Sequence, residues 1–87
     1  MTTEQMLADW TAKARLAKRL TAEQQLWPAW SMGEMLAVSV ILDDTDMLRA
    51  LDYTRLEALE RLRHEIEEPT AAAAAAVFTR LAQEVAT

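Results

Sequence analysis

Three aspartates within four residues, Asp43-Asp44-Thr45-Asp46, form the densest group of ligand-type side chains in the chain. Carboxylates so closely spaced invite a calcium reading. A calcium loop of the EF-hand type also needs further oxygen ligands, a glycine at its sharp turn and a terminal glutamate, and none stands at the right offset. Helix capping and complementation of a helix dipole account for the cluster, so no metal is expected. The one histidine, His64, lies between Arg63 and Glu65. It is read as a solvated side chain on the outer face of a helix, with no partner to orient it as a general base. Ser31 is read as a helix cap. Ser39 is read as a buried hydroxyl bonded to a carbonyl one turn back, not as a nucleophile. One glycine cannot build a phosphate-cradling loop. The absence of cysteine removes disulfide staples and thiolate metal sites. These residues predict a protein that is not an enzyme and carries no cofactor.

The residue types that remain are those of binding. Trp27 and Trp30 flank Pro28 in the stretch Leu-Trp-Pro-Ala-Trp. Tryptophan is enriched among the residues that dominate interface energy. With Ser31 as cap, Trp30 and Met35 occupy the two positions of a hydrophobic staple, which assigns Trp30 to the core. Trp27 has no such role and is expected at the core's edge, on a partner surface with Asp43 and Asp46 as a polar rim nearby. Ala72 and Ala76 belong to a run of six alanines that offers a smooth helical face to another helix. The candidate protein-binding residues are therefore Trp27, Asp43, Asp46, Ala72 and Ala76.

Helices must position all of these. Apolar residues recur at helical spacing almost throughout, with no strand alternation and no internal repeat. A first helix over 1–20 places Met6, Trp10, Ala14, Ala17 and Leu20 on one face, after a capping-box pair Thr2 and Gln5. The same spacing at Thr21 and Gln24 predicts a short second helix that stops at Pro28. Ser31 and Glu34 give the strongest start signal, before a stretch that is apolar nearly all round, so helix 32–42 should be central and buried. Gly33 in its first turn suits close approach of another helix or of the Trp27 indole.

A short helix over 44–51 follows, with Met47, Leu48 and Leu51 inward. Thr54 and Glu57 start the next, running to about Glu67 with Leu56, Leu59, Leu62 and Ile66 inward and Arg55 and Arg61 outward. Pro69 ends it and can occupy the first turn of the last helix. The reading is an all-α fold, a small orthogonal helical bundle of five to six helices in a single domain over 1–87. Trp10, Trp30, Met35, Leu36, Val38, Val40, Ile41, Leu48, Leu56, Leu59, Leu62 and Phe78 should form its core.

Eighty-seven residues suffice for one domain. So small a domain hides only about two-thirds of its unfolded surface, which favours a partner subunit. The net charge of −5 is unevenly spread. Lys13, Arg15, Lys18 and Arg19 outnumber Glu4 and Asp9 in the first twenty residues. Over 21–54 Arg49 alone faces Glu23, Glu34, Asp43, Asp44, Asp46 and Asp52. An acidic body repels phosphate backbones, so nucleic acid is a disfavoured partner. The charge asymmetry and the alanine helix instead point to a homodimer paired through 72–85, the alternative being that this helix folds back on its own domain. No secretory leader is read near Glu4 and Asp9, and the longest apolar run, Met35–Leu42, is too short to span a bilayer, so a cytoplasmic protein without membrane contact is expected.

One alternative keeps nucleic acid in play. The helix over 44–51, a turn at Asp52 and Tyr53 and the helix from Thr54 have the lengths of a helix-turn-helix DNA-binding regulator. Thr54, Arg55 and Arg61 would then face base edges, against the acidic Glu57, Glu60, Glu65, Glu67 and Glu68 of the same segment.

The segment Trp30–Arg61, about a third of the chain, carries Trp30, Gly33-Glu34, Leu36-Ala37-Val38, Ile41-Leu42-Asp43, Tyr53-Thr54 and Glu57-Ala58. In this pattern it resembles a group of small proteins of mycobacteriophages and their actinobacterial hosts. The resemblance implies a non-enzymatic accessory protein, phage-encoded, that binds a host protein, and it supplies no site. Asp52 departs from the glycine that the group often has before the tyrosine, which implies a less tight turn here.

Overall fold

The computed structural model describes residues 2–22 and 27–87, without the side chains of Thr21 and Ala22. Five helices account for most of them: α1 (Thr3–Ala22), α2 (Met32–Leu42), α3 (Thr45–Ala50), α4 (Arg55–Glu65) and α5 (Ala71–Ala86). Among the described residues there is no strand. The all-α bundle with 32–42 at its centre is as the sequence predicts.

Helix starts follow the capping signals. Thr2 and Gln5 exchange hydrogen bonds of 2.8 and 3.1 Å at the head of α1. Ser31 and Glu34 close a capping box on α2, and Thr54 and Glu57 close one on α4. The Thr54 backbone N–H donates to the Glu57 carboxylate and holds its pKa below the usual range. The expected start at Thr21 is not used, because α1 runs unbroken through Thr21 and Ala22. No helix breaker precedes Thr21, so the spacing alone does not interrupt an established helix. The rest of the expected second helix falls on 23–26, outside the described residues. Pro69 is not in the first turn of α5. Thr70 is the cap, and the Pro69 carbonyl accepts from Arg63.

Three helices end in the same way. Asp43, Asp52 and Glu67 follow α2, α3 and α4 in left-handed conformation, with φ of 53°, 64° and 59°. The next residue's N–H reaches back to close each end: Asp44 to Ser39, Tyr53 to Leu48 and Glu68 to Arg63, at 2.8, 2.9 and 2.8 Å. This is the Schellman arrangement, in which glycine is the preferred left-handed residue. Asp52 thus makes the tight turn that a glycine would make.

α2 touches all four other helices. Leu36, Ala37, Val38, Val40 and Ile41 are buried together with Trp10, Ala14 and Ala17 of α1. Leu48, Ala58, Leu59, Leu62, Ile66, Ala74, Phe78 and Leu81 complete the core. Trp10 stacks on Phe78 with ring centroids 5.9 Å apart. Ser39 is fully buried and donates to the Met35 carbonyl at 2.7 Å, as expected.

Three expected core residues are not fully buried. Trp30 and Met35 are half-buried, and Leu56 is 64% exposed. Steps of three and four residues that look like one stripe drift around the helix at about 100° per residue. By that count Leu56 stands well off the face shared by Ala58, Leu59, Leu62 and Ile66. Arg55, expected outside, lies nearer that face and donates to the Val40 carbonyl at 3.3 Å.

Pairings along the helices fix their sense. Trp10 meets Phe78 and Arg15 meets Glu84, so α1 and α5 run the same way. Gly33 meets Glu65 while Val40 meets Arg55, so α4 runs opposite to α2.

Candidate functional site: an acidic groove at the end of α2

The carboxyl end of α2 breaks into the tight turn at Asp43, and α3 begins two residues later. Asp44 is spent on that start: its carboxylate accepts from the Met47 N–H at 2.9 Å. Asp43 and Asp46 remain exposed. Their ion pairs are long and open to solvent, Asp43 with Arg55 at 3.5 Å and Asp46 with Arg49 at 3.6 Å. Pairs of that kind contribute little stability.

This turn forms one wall of an open groove of about 510 Å³. Ile41 and Leu42 of α2 and Ala82 and Val85 of α5 give it an apolar lining. Asp43, Asp44 and Asp46 also line it, and among the described residues Lys18 of α1 is its only basic side chain. The carboxyl ends of α2 and α5 both contribute to it, and helix carboxyl ends carry partial negative charge. The groove is therefore lined by both apolar and acidic side chains and is open to solvent.

The structure brings Asp43 and Asp46 together here and leaves the other candidates apart. Trp27 is half-buried against Trp30, centroids 5.7 Å apart, on the approach to the amino end of α2. Trp27 is not among the residues that line the groove with Asp43 and Asp46. Nor does Pro28 divide the two indoles. The Trp30 N–H donates to the Pro28 carbonyl at 2.8 Å, a tight turn that folds the rings together. Ala72 and Ala76 are exposed on α5. The opposite face of that helix, Ala74, Phe78, Leu81 and Val85, is buried within its own domain. The apolar side of α5 is thus not left for pairing through 72–85.

The amino end of α2 is knitted differently. Lys13 of α1 pairs with Asp9 one turn before it and with Glu34 at 2.8 Å. Lys13, followed by the capping-box bond from Ser31, holds the Glu34 carboxyl down to a pKa of about 2. The Lys13 ammonium is raised in turn, first by Asp9 and then by Glu34. Gly33 is buried because the Glu65 carboxylate lies over it: a Cβ there would stand 3.0 Å from a carboxylate oxygen. The close approach expected at this glycine comes from α4 and not from Trp27.

The side chains of the helix-turn-helix alternative are exposed but make contacts within the chain. The Thr54 hydroxyl accepts from Glu57, and Arg55 is turned onto α2. Arg61 donates to the Tyr53 hydroxyl at 2.8 Å and lies over its ring at 6.0 Å. The Tyr53–Arg61 contact joins residues eight apart across a turn, which no short-range spacing signals. His64 is exposed. Among the described residues no three histidine, cysteine, aspartate or glutamate side chains are grouped to hold a metal ion, and no helix is long and apolar enough to cross a membrane. The chain matches no family model, no curated protein and no solved structure.

Proposed function

We propose that this chain is a small non-enzymatic helical protein that acts by binding another protein, as an accessory factor that engages a host protein. The observation that carries the reading is the groove, where apolar residues from α2 and α5 lie within reach of the exposed Asp43 and Asp46. A desolvated apolar contact inside a charged rim is the usual anatomy of a protein interface, and the charge selects the partner. Lys18 is outweighed by three aspartates, so the groove suits a segment with apolar side chains flanked by lysine or arginine. The engaged state of Arg55 and Arg61 and the acidic body favour a protein over DNA.

Affinity capture from host lysate tests this with the wild-type chain and with Asp43→Asn/Asp46→Lys. Asparagine tolerates the left-handed position at residue 43, so the fold is kept. One protein held in stoichiometric amount by the wild type and lost by the variant is the expected result. Equal retention by both would reject the groove. Retardation of DNA fragments that weakens steeply with salt would establish the helix-turn-helix alternative instead.

A further inference from the structure

We infer that a second groove, between α1 and α5, is a self-association face that takes another copy of this chain across a two-fold axis. This groove, of about 300 Å³, is edged by Glu4 and Arg15 of α1 and by Arg80 and Glu84 of α5, with Leu7 and Ala8 among its apolar lining. All four charged residues are exposed. Among the described residues none of them makes an ion pair. Two acids and two bases balance, which separates this face from the acidic groove, where two copies would repel each other.

The placement is self-complementary. Glu4 and Arg15 are eleven residues apart, close to three full turns, and so share one face of α1. When two α1 helices pack antiparallel, Glu4 of each copy meets Arg15 of the other, and a two-fold axis uses the pair twice. Ala8, exposed between them, lets the helices approach closely. Because α5 runs in the same sense as α1, Arg80 lies toward the Arg15 end. Glu4 of the second copy therefore meets Arg15, with Arg80 about one turn away on α5 and Glu84 level with Arg15, two bases against one acid at that end. Arg15 is already positioned for it by donating to the Glu84 carbonyl at 3.2 Å.

Sedimentation equilibrium of the full chain at low salt, from micromolar to millimolar concentration, tests this face. The expected mass rises from 9.8 kDa toward twice that value. Glu4→Arg and Arg15→Glu, each verified as helical by circular dichroism, should each raise the dissociation constant at least about tenfold. The charge-swapped variant Glu4→Arg/Arg15→Glu/Arg80→Glu should restore association. A mass fixed at the monomer value would overturn the inference, as would single variants that associate like the wild type or a swapped variant that fails to recover. Loss of association on Ala76→Glu alone would do so too, by placing the contact on the outer face of α5.

Discussion

At its amino end α2 is entered through Ser31 and Glu34, which satisfy each other's backbone and tie to Lys13 at 2.8 Å. At its carboxyl end the same helix leaves through Asp43, a left-handed acidic residue whose nearest cation is 3.5 Å away. The first end puts negative charge where the helix dipole is positive. The second puts it where the dipole is already negative, in a backbone conformation that glycine would take more easily. One end is arranged for stability. The other keeps exposed charge at some cost to stability, and it borders the larger groove. That contrast supports reading the carboxyl corner as a place of contact.

The largest expected effect falls between the two ends. Ile41, 3% exposed, belongs to the core and lines the groove. Ile41→Ala should cost about 2–5 kcal/mol in chemical denaturation, and an unmoved midpoint would remove α2 from the centre of the fold. Next comes Glu34→Ala, which deletes half of a capping box and the tie to α1. It should cost roughly 1–2 kcal/mol, whereas Asp46→Ala should change stability by less than about 0.5 kcal/mol. Equal costs would erase the contrast between the ends.

Acid titration sharpens it further. The Glu34 carboxyl is depressed from 4.5 to about 2 in the folded chain. Its contribution is fully present above pH 4.5 and is lost as pH falls toward 2. Glu34→Gln should remove that part of the acid sensitivity, on the order of 1–2 kcal/mol after allowance for solvent screening. An unchanged stability profile between pH 4.5 and 2 would show that the tie to Lys13 is not formed in solution. A further, modest effect is a gain. Glu67→Gly relieves a left-handed residue and a charge at the negative end of α4, and should raise stability by about 0.5–1 kcal/mol in thermal unfolding. A loss on that change would contradict the strained ending.

The sequence foretold what is local. Each capping box that formed, at Thr2, Ser31 and Thr54, precedes a fresh apolar pattern, and the buried character of α2 follows from its lack of a polar stripe. The failures are where geometry accumulates over distance or where a turn redirects the chain. Leu56 falls in a series of three- and four-residue steps that suggests one stripe, yet it is exposed. Trp27 and Trp30 flank a proline, which in sequence suggests two separate faces, whereas a tight turn joins them. The acidic groove was half legible. Asp43 and Asp46 were visible as candidates, but Lys18, Ala82 and Val85 come to the same place only through packing of α1 and α5. No spacing within one segment reveals that meeting.

The decisive measurement sets stability against binding at the carboxyl end of α2. The variant Asp43→Gly/Asp46→Asn removes both exposed charges and eases the left-handed turn. Its melting temperature and its capture of the protein held by the wild-type chain are to be measured on the same preparation. The account predicts a melting temperature at or above that of the wild type together with loss of the captured protein. Undiminished capture by this variant would contradict it.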